Sequence, residues 1–217
     1  MKFKKILAFT LAELLITMTI VGAIAAMTIP TLVSKRVQTE RTAKLRKFYS
    51  RMTNAIDLMG MNGISYKYLT IPVTSAKGRY DWYMANIDRY MGHKYIDTEN
   101  YRIYYVDGSS LNFKIDKTSY RYNGKDPGCI AAAYDTNGVK LPNIEGADQY
   151  RFWFCFSPIS RNAYLGNSET FFGGYTERIT AKTSEATVIN MCDKNSEYCT
   201  KLLQNNNWEY PANYPFK

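Results

Sequence analysis

Residues 14–33 form a run of 20 amino acids without a charge, and that run decides what the chain can become. At about 1.5 Å rise per residue, a helix over it is roughly 30 Å long, the thickness of one bilayer hydrocarbon core. A short basic leader carrying Lys2, Lys4 and Lys5 precedes it, and so does one carboxylate, Glu13. Glu13 is the anomaly. A carboxylate at the centre of a lipid-facing helix costs about 2.5–3.5 kcal/mol on insertion scales. Near the helix end, where this one sits, the cost is smaller, but the group still calls for a partner.

The helical pattern outlasts the apolar run. Leu45, Phe48, Met52, Ala55 or Ile56, and Met59 follow steps of three and four, and Gly60 and Gly63 end the pattern. A helix over residues 9–59 would be on the order of 75 Å long. Its first half is apolar all round; its second half has an apolar stripe and a basic face, which predicts packing of one side on a globular domain. Pro30 removes one helical hydrogen bond and predicts a kink or a local melting there.

The stretch Ala8-Phe9-Thr10-Leu11-Ala12-Glu13 resembles the processing site of type IV prepilins and type II secretion pseudopilins. The resemblance implies that a membrane peptidase, prepilin peptidase, cuts between Ala8 and Phe9 and methylates the new amine of Phe9. Glu13 then matches the family's acidic assembly residue, and Pro30 falls where the family often kinks its helix. The residue before the cut is usually Gly in that family; Ala8 departs from the pattern, which implies slower or less complete processing. Two other readings of the N-terminus compete. An ordinary secretory signal would use Ala23-Ile24-Ala25 as its small-x-small cleavage site, but the apolar run is too long for it and contains Glu13. A plain single-pass anchor explains the length and gives Glu13 no role.

The formal net charge of +9 is a local excess. Seven basic residues, Lys35, Arg36, Arg41, Lys44, Arg46, Lys47 and Arg51, face one acid, Glu40, in residues 35–51, whereas from Met52 onward 18 basic residues balance 17 acidic ones. A protein that binds nucleic acid over its whole surface would spread its excess differently. The basic run reads as a solvated helix face, as a packing surface toward neighbouring subunits or lipid head groups, or as a nonspecific, salt-dependent DNA contact. It opposes the positive-inside rule. The processing motif and the cysteines nevertheless place the leader inside.

Four cysteines, Cys129, Cys155, Cys192 and Cys199, without a CxxC pair and with a single histidine, His93, point to disulfides in an oxidising compartment and away from structural zinc. Residues 65–78 read as a Tyr-rich connector and 81–91 as a short helix burying Trp82, Ile87 and Met91. Runs 101–106 and 111–115 flank Asp107-Gly108-Ser109-Ser110 as a hairpin. Runs 129–134 and 150–156 are two further strands. Residues 157–167 read as a loop, 171–175 as ambiguous, 185–191 and 197–203 as helices, followed by a Pro-punctuated tail. If 129–134 and 150–156 pair antiparallel with Tyr134 opposite Tyr150, then Cys129 falls opposite Cys155, within disulfide reach. Cys192 is then left for Cys199. A slip of one residue would turn the two sulfurs to opposite faces.

The loop over residues 135–148 is the most distinctive part of the globular region, and its DxNG…PN…GxD pattern is similar to loops of pilin-like proteins. Asp135, Asn137 and Asp148 are oxygen ligands of the kind Ca²⁺ takes, but their spacing misses the EF-hand pattern; an Asx-stabilised turn with Gly138 at positive φ uses the same residues. Catalysis has little support. His93 sits in a polar turn, Ser109 and Ser110 lie in the hairpin, and no spacing sets two carboxylates on one face.

The expected fold is α+β and pilin-like. A leader, 1–8, is followed by a transmembrane helix, 9–33, its amphipathic continuation, 34–60, and a globular domain with an antiparallel sheet, 61–217. The expected role is that of a non-enzymatic structural subunit of a type IV pilus-like or type II secretion pseudopilus filament. It would be anchored once in the inner membrane with its C-terminal domain outside the cytoplasm. The resemblance implies as partners the prepilin peptidase, copies of itself or other pilins, an inner-membrane assembly platform and membrane lipid. A monomeric membrane-anchored binding module, with DNA among its ligands, is the reading from a different class.

Overall fold

The computed structural model describes residues 10–70, 75–115, 119–120, 128–180 and 182–216. The chain divides into two compact units, Met1–Thr39 and Glu40–Lys217. Helix α1 (Leu11–Met61) supplies the described residues of the first unit after Thr10 and the opening of the second. Its helical backbone is unbroken across Pro30, so the local melting expected there does not occur. Pro30 withholds one N–H, and the turns on either side carry the helix past it.

The second unit is built on an antiparallel sheet. Its strands are β1 (Tyr95–Asp97), β2 (Arg102–Tyr104), β3 (Ser110–Asn112), β4 (Ser119–Tyr120), β5 (Cys129–Asp135), β6 (Gln149–Cys155) and β7 (Phe172–Gly173). Six of them run in the order β1-β2-β3-β5-β6-β7, and β4 pairs with the start of β5 on the side where β3 pairs with its end. Every ladder is antiparallel. The helices of this unit are α2 (Ala76–Asn86), α3 (Asp88–Met91), α4 (Pro158–Leu165), α5 (Glu185–Lys194) and α6 (Glu197–Asn205).

Both faces of β5 and β6 are covered, which is why the two strands read as nearly continuous apolar runs and not as an alternation. On the face that carries Ile130, Ala132, Tyr134, Tyr150, Phe152 and Phe154, Tyr134 and Phe152 meet the apolar stripe of α1 at Phe48. That stripe is Leu45, Phe48, Met52, Ala55, Ile56 and Met59, all buried. The Phe48 ring stacks on Tyr134 with centroids 4.0 Å apart and meets Phe152 edge-on at 5.2 Å. Helix α2 adds Trp82 against Phe154 at 5.6 Å and Tyr83 against Phe113 at 5.4 Å. On the opposite face Trp153 meets Tyr175 at 5.8 Å, and Arg151 pairs with Glu197 at the start of α6.

The register of β5 and β6 pairs Tyr134 with Tyr150 and Cys129 with Cys155. Cys129 is bonded to Cys155, with Cα atoms 4.1 Å apart, and Cys192 to Cys199, with Cα atoms 4.7 Å apart. Elsewhere the structure corrects the sequence reading. Residues 157–167 are not a loop: Ser157 Oγ accepts the Ser160 N–H, Pro158 opens α4 and Gly166, at φ 73°, ends it. These are an N-cap, a first-turn proline and a left-handed C-cap in order. The helix expected over 81–91 begins earlier, where Ser75 Oγ accepts the Gly78 N–H, and it breaks at Ile87 into α2 and α3. The short strands β1 and β4 add to the hairpin and the β5–β6 pair.

Candidate functional site

The N-terminal end of α1 is the first candidate. Thr10 and Glu13 form a capping box. The Glu13 N–H donates to Thr10 Oγ1 at 3.2 Å, while Glu13 Oε2 accepts the Thr10 N–H at 2.8 Å and the Thr10 hydroxyl at 2.9 Å. The sequence reading asked for a partner for Glu13 and passed over this local one, although Thr-x-x-Glu before an apolar run is its signature. Both bonds that the carboxylate accepts fall on Oε2, so among the described residues Oε1 has no partner and stays open to a further cation. Ala8 and Phe9 lie outside the described residues.

The body of this segment suits an apolar surrounding. Its large apolar side chains, from Leu11 and Leu14 to Leu32 and Val33, are exposed. Its four hydroxyls are satisfied within the helix: Thr17 donates to the Leu14 carbonyl, Thr19 to Leu15 and Ile16, Thr28 to Ile24, and Thr31 to Thr28. Backbone and side-chain donors that close on the helix itself are the requirement for a helix in lipid. Among the described residues, α1 is the one helix long and apolar enough to cross a membrane, a test that a signal sequence also passes.

The basic run divides. Lys35, Arg36, Arg46 and Lys47 are exposed, as a solvated face would have them. Lys44 instead reaches the Thr136 carbonyl at 3.0 Å while pairing with Glu40 at 2.9 Å, and Arg51 donates to the Met91 carbonyl beneath the Tyr105 ring. Lys44 and Arg51, two helical turns apart and so on the same flank of the apolar stripe, thus tie α1 to the turn after β5 and to α3, a use that spacing alone did not reveal.

The loop after β5 gathers Asp135, Asn137 and Asp148. Asp135 Oδ1 accepts the Asn137 N–H at 3.1 Å, and Oδ2 accepts Gln149 Nε2 at 3.1 Å with Arg102 at 3.6 Å. Burial pushes the Asp135 carboxyl above the usual carboxylate range, against the pull of the Gln149 and Asn137 hydrogen bonds. Asp148 accepts the Ile144 N–H at 2.7 Å, the Asn143 N–H at 3.0 Å and Asn137 Nδ2 at 3.0 Å. Gly138 has φ 77°. The two carboxylates therefore serve as hubs for loop donors, and a calcium ion would have to displace those donors. Among the described residues no group of three or more His, Cys, Asp or Glu is placed to hold a metal. Asp148→Ala is expected to orphan two backbone N–H groups and lower stability by about 2–4 kcal/mol. The drop would be read as a shift of the urea midpoint, and a shift below a quarter of that size would contradict the hub role.

His93 does not stand alone: its Nδ1 lies 2.8 Å from Asp88 Oδ2. Both ends of the pair are polar anchors of the α3 turn. No cysteine is free, so the chain offers no thiol nucleophile. The sequence reading also missed Arg151, which sits inside β6 and contacts Glu145 at 2.7 Å and Glu197 at 2.5 Å. A single charge inside a run as apolar as 150–156 is the signal that could have found it.

The fold is thus an α+β domain with a covered antiparallel sheet, opened by a long helix whose first part is apolar and exposed. The chain belongs to a family of unknown function, DUF6613, whose model matches residues 31–217. That match begins beyond the processing motif and covers the whole globular unit. No curated protein and no solved structure matches the chain.

Proposed function

We propose that this chain is a structural subunit of a type IV pilus-like or type II secretion pseudopilus filament. In this reading prepilin peptidase trims it, and its N-terminal helix changes its surroundings from lipid to the helices of neighbouring subunits. The observation that carries the reading is the first part of α1. It is an exposed apolar helix whose hydroxyls close on the helix itself, and the sequence motif Ala8-Phe9-Thr10-Leu11-Ala12-Glu13 leads into it with one carboxylate that keeps an open oxygen among the described residues. Lipid and a helix bundle both suit such a surface. Work is done by assembly, and no residue is required to turn over a substrate. The domain outside the membrane is held by two disulfides, which suits an oxidising compartment.

Processing is the direct test. Intact-mass and N-terminal peptide analysis of the native protein should find a chain that starts at Phe9, carries one added methyl group and lacks residues 1–8. A start at Ala26 or Met27 would mark a secretory signal. An intact leader on a protein that never enters a sheared filament fraction would instead leave a monomeric membrane-anchored module.

A further inference from the structure

A cavity of about 340 Å³ opens at the β7 edge of the sheet, between the turn after α4 and the last turns of α6. It lies wholly in the second unit. Its volume is at the lower end of the range for small-ligand sites, about 300–1,000 Å³, which suits one sugar ring better than a chain. Gly174 brings the strand against α6 so closely that a Cβ there would stand 2.7 Å from the Lys201 amide nitrogen. The wall is therefore built tight, and Gln204 fastens it further by accepting the Gly174 N–H at 3.3 Å and donating to the Tyr49 hydroxyl at 2.9 Å.

Two polar groups in that wall lack partners among the described residues. Lys201 is half-buried and makes no hydrogen bond or ion pair, and desolvation alone pulls its ammonium below the usual lysine range. The helix dipole does not account for it, because the last turn of α6 carries no basic residue and Lys201 sits before it. Thr176 is 3% exposed, and its hydroxyl has no hydrogen-bond partner. An unpaired cation and an unpaired hydroxyl are each costly when withdrawn from water. The rest of the lining contains no Asp, Glu or Arg; Asn167, Asn205 and two threonines supply paired donors and acceptors beside the Tyr49 ring.

We infer that this cavity binds a carboxylate-bearing sugar, with Lys201 taking the carboxylate and the lining amides and threonines Asn167, Asn205, Thr170 and Thr180 taking hydroxyls. One cation without a second matches a monoanion and not a phosphate dianion. Hydroxyl and amide groups that both donate and accept match a polyol.

The test is titration calorimetry on the full chain in a polyoxyethylene detergent, which has no sugar head group, with glucuronate, galacturonate, glucose and inorganic phosphate as probes. At least one uronate should bind saturably with a dissociation constant of about 1 mM or tighter, and glucose and phosphate at least about tenfold more weakly. Lys201→Gln should weaken uronate binding by about tenfold or more with the melting temperature unchanged. Asn205→Asp, at an exposed position, should do the same by placing a like charge in the wall, and it decides the matter if Lys201→Gln does not fold. Absence of saturable uronate binding, phosphate binding as tight as uronate, or uronate binding unchanged in the folded variants would each overturn the assignment.

Discussion

Glu13→Ala is expected to insert in the membrane as the parent does and to fall at least about tenfold in a sheared filament fraction. Two effects are removed together. The first is the capping box with Thr10, whose loss costs about 0.5–2 kcal/mol at the start of α1. The second, on the proposed function, is neutralisation of the amine that processing creates at Phe9, through the oxygen that Thr10 leaves open. In low dielectric a bare ammonium and a bare carboxylate are each costly, and pairing them offsets much of that cost; every 1.4 kcal/mol lost is tenfold in the incorporated fraction. Glu13→Gln separates the two effects. Glutamine serves a capping box as glutamate does, so this variant keeps the helix start and loses only the charge. Immunoblots of membrane and sheared fractions should show both variants in the membrane and both depleted from filaments. Normal incorporation of Glu13→Gln beside poor incorporation of Glu13→Ala would make Glu13 a helix cap and nothing more.

The elements that could be read in advance are those with a short physical period. The stripe from Leu45 to Met59 repeats every three or four residues, and each of its members is buried on the sheet. The Cys129–Cys155 bond was legible once Tyr134 was set opposite Tyr150, because in an antiparallel ladder one pair fixes all the others. What escaped was of two kinds. Helix α4 carries local signals, Ser157, Pro158 and Gly166, but spans only eight residues, too few turns for its rhythm to stand out, so its polar residues read as loop. Strands β1 and β4, with three and two residues, are too short for any alternation to show. The other kind is tertiary. Lys44 reaching Thr136, Gln204 reaching Tyr49, and Lys201 without a counter-charge among the described residues are facts of approach between segments far apart in the chain. The basic run shows the limit clearly. Its charge was legible, but which cations turn inward depends on where the β5 loop and the α3 turn come to rest beside α1.

Arg151→Ala is expected to be the most destabilising single change in the second unit, by about 3–5 kcal/mol. Arg151 leaves a β-strand, where the neighbouring side chains are apolar, and its guanidinium ends between two carboxylates: Glu197 at 2.5 Å and Glu145 at 2.7 Å. The side chains of Arg151 and Glu197 are only 8% and 2% exposed. Glu145 is more open and also accepts the Ser196 hydroxyl at 2.8 Å, so it can return to water when the arginine goes. Glu197 cannot. It opens α6 within two residues of Cys199, whose disulfide with Cys192 fixes that helix start against α5. Removing Arg151 therefore leaves a buried carboxylate without its cation, which is the costly half of breaking an ion pair. The pair itself need not be strongly stabilising, because both charges were desolvated to form it. Arg151→Met with Glu197→Leu should accordingly recover most of the loss, an interaction energy of about 2–3 kcal/mol in the double-mutant cycle. Urea unfolding of the full chain in detergent, with the disulfides intact, reads each variant as a midpoint shift at constant slope. If Arg151→Ala lies within about 0.5 kcal/mol of the parent, or if the double variant is merely the sum of the two singles, the cluster is a solvated pair and β6 is held to α6 by apolar packing alone.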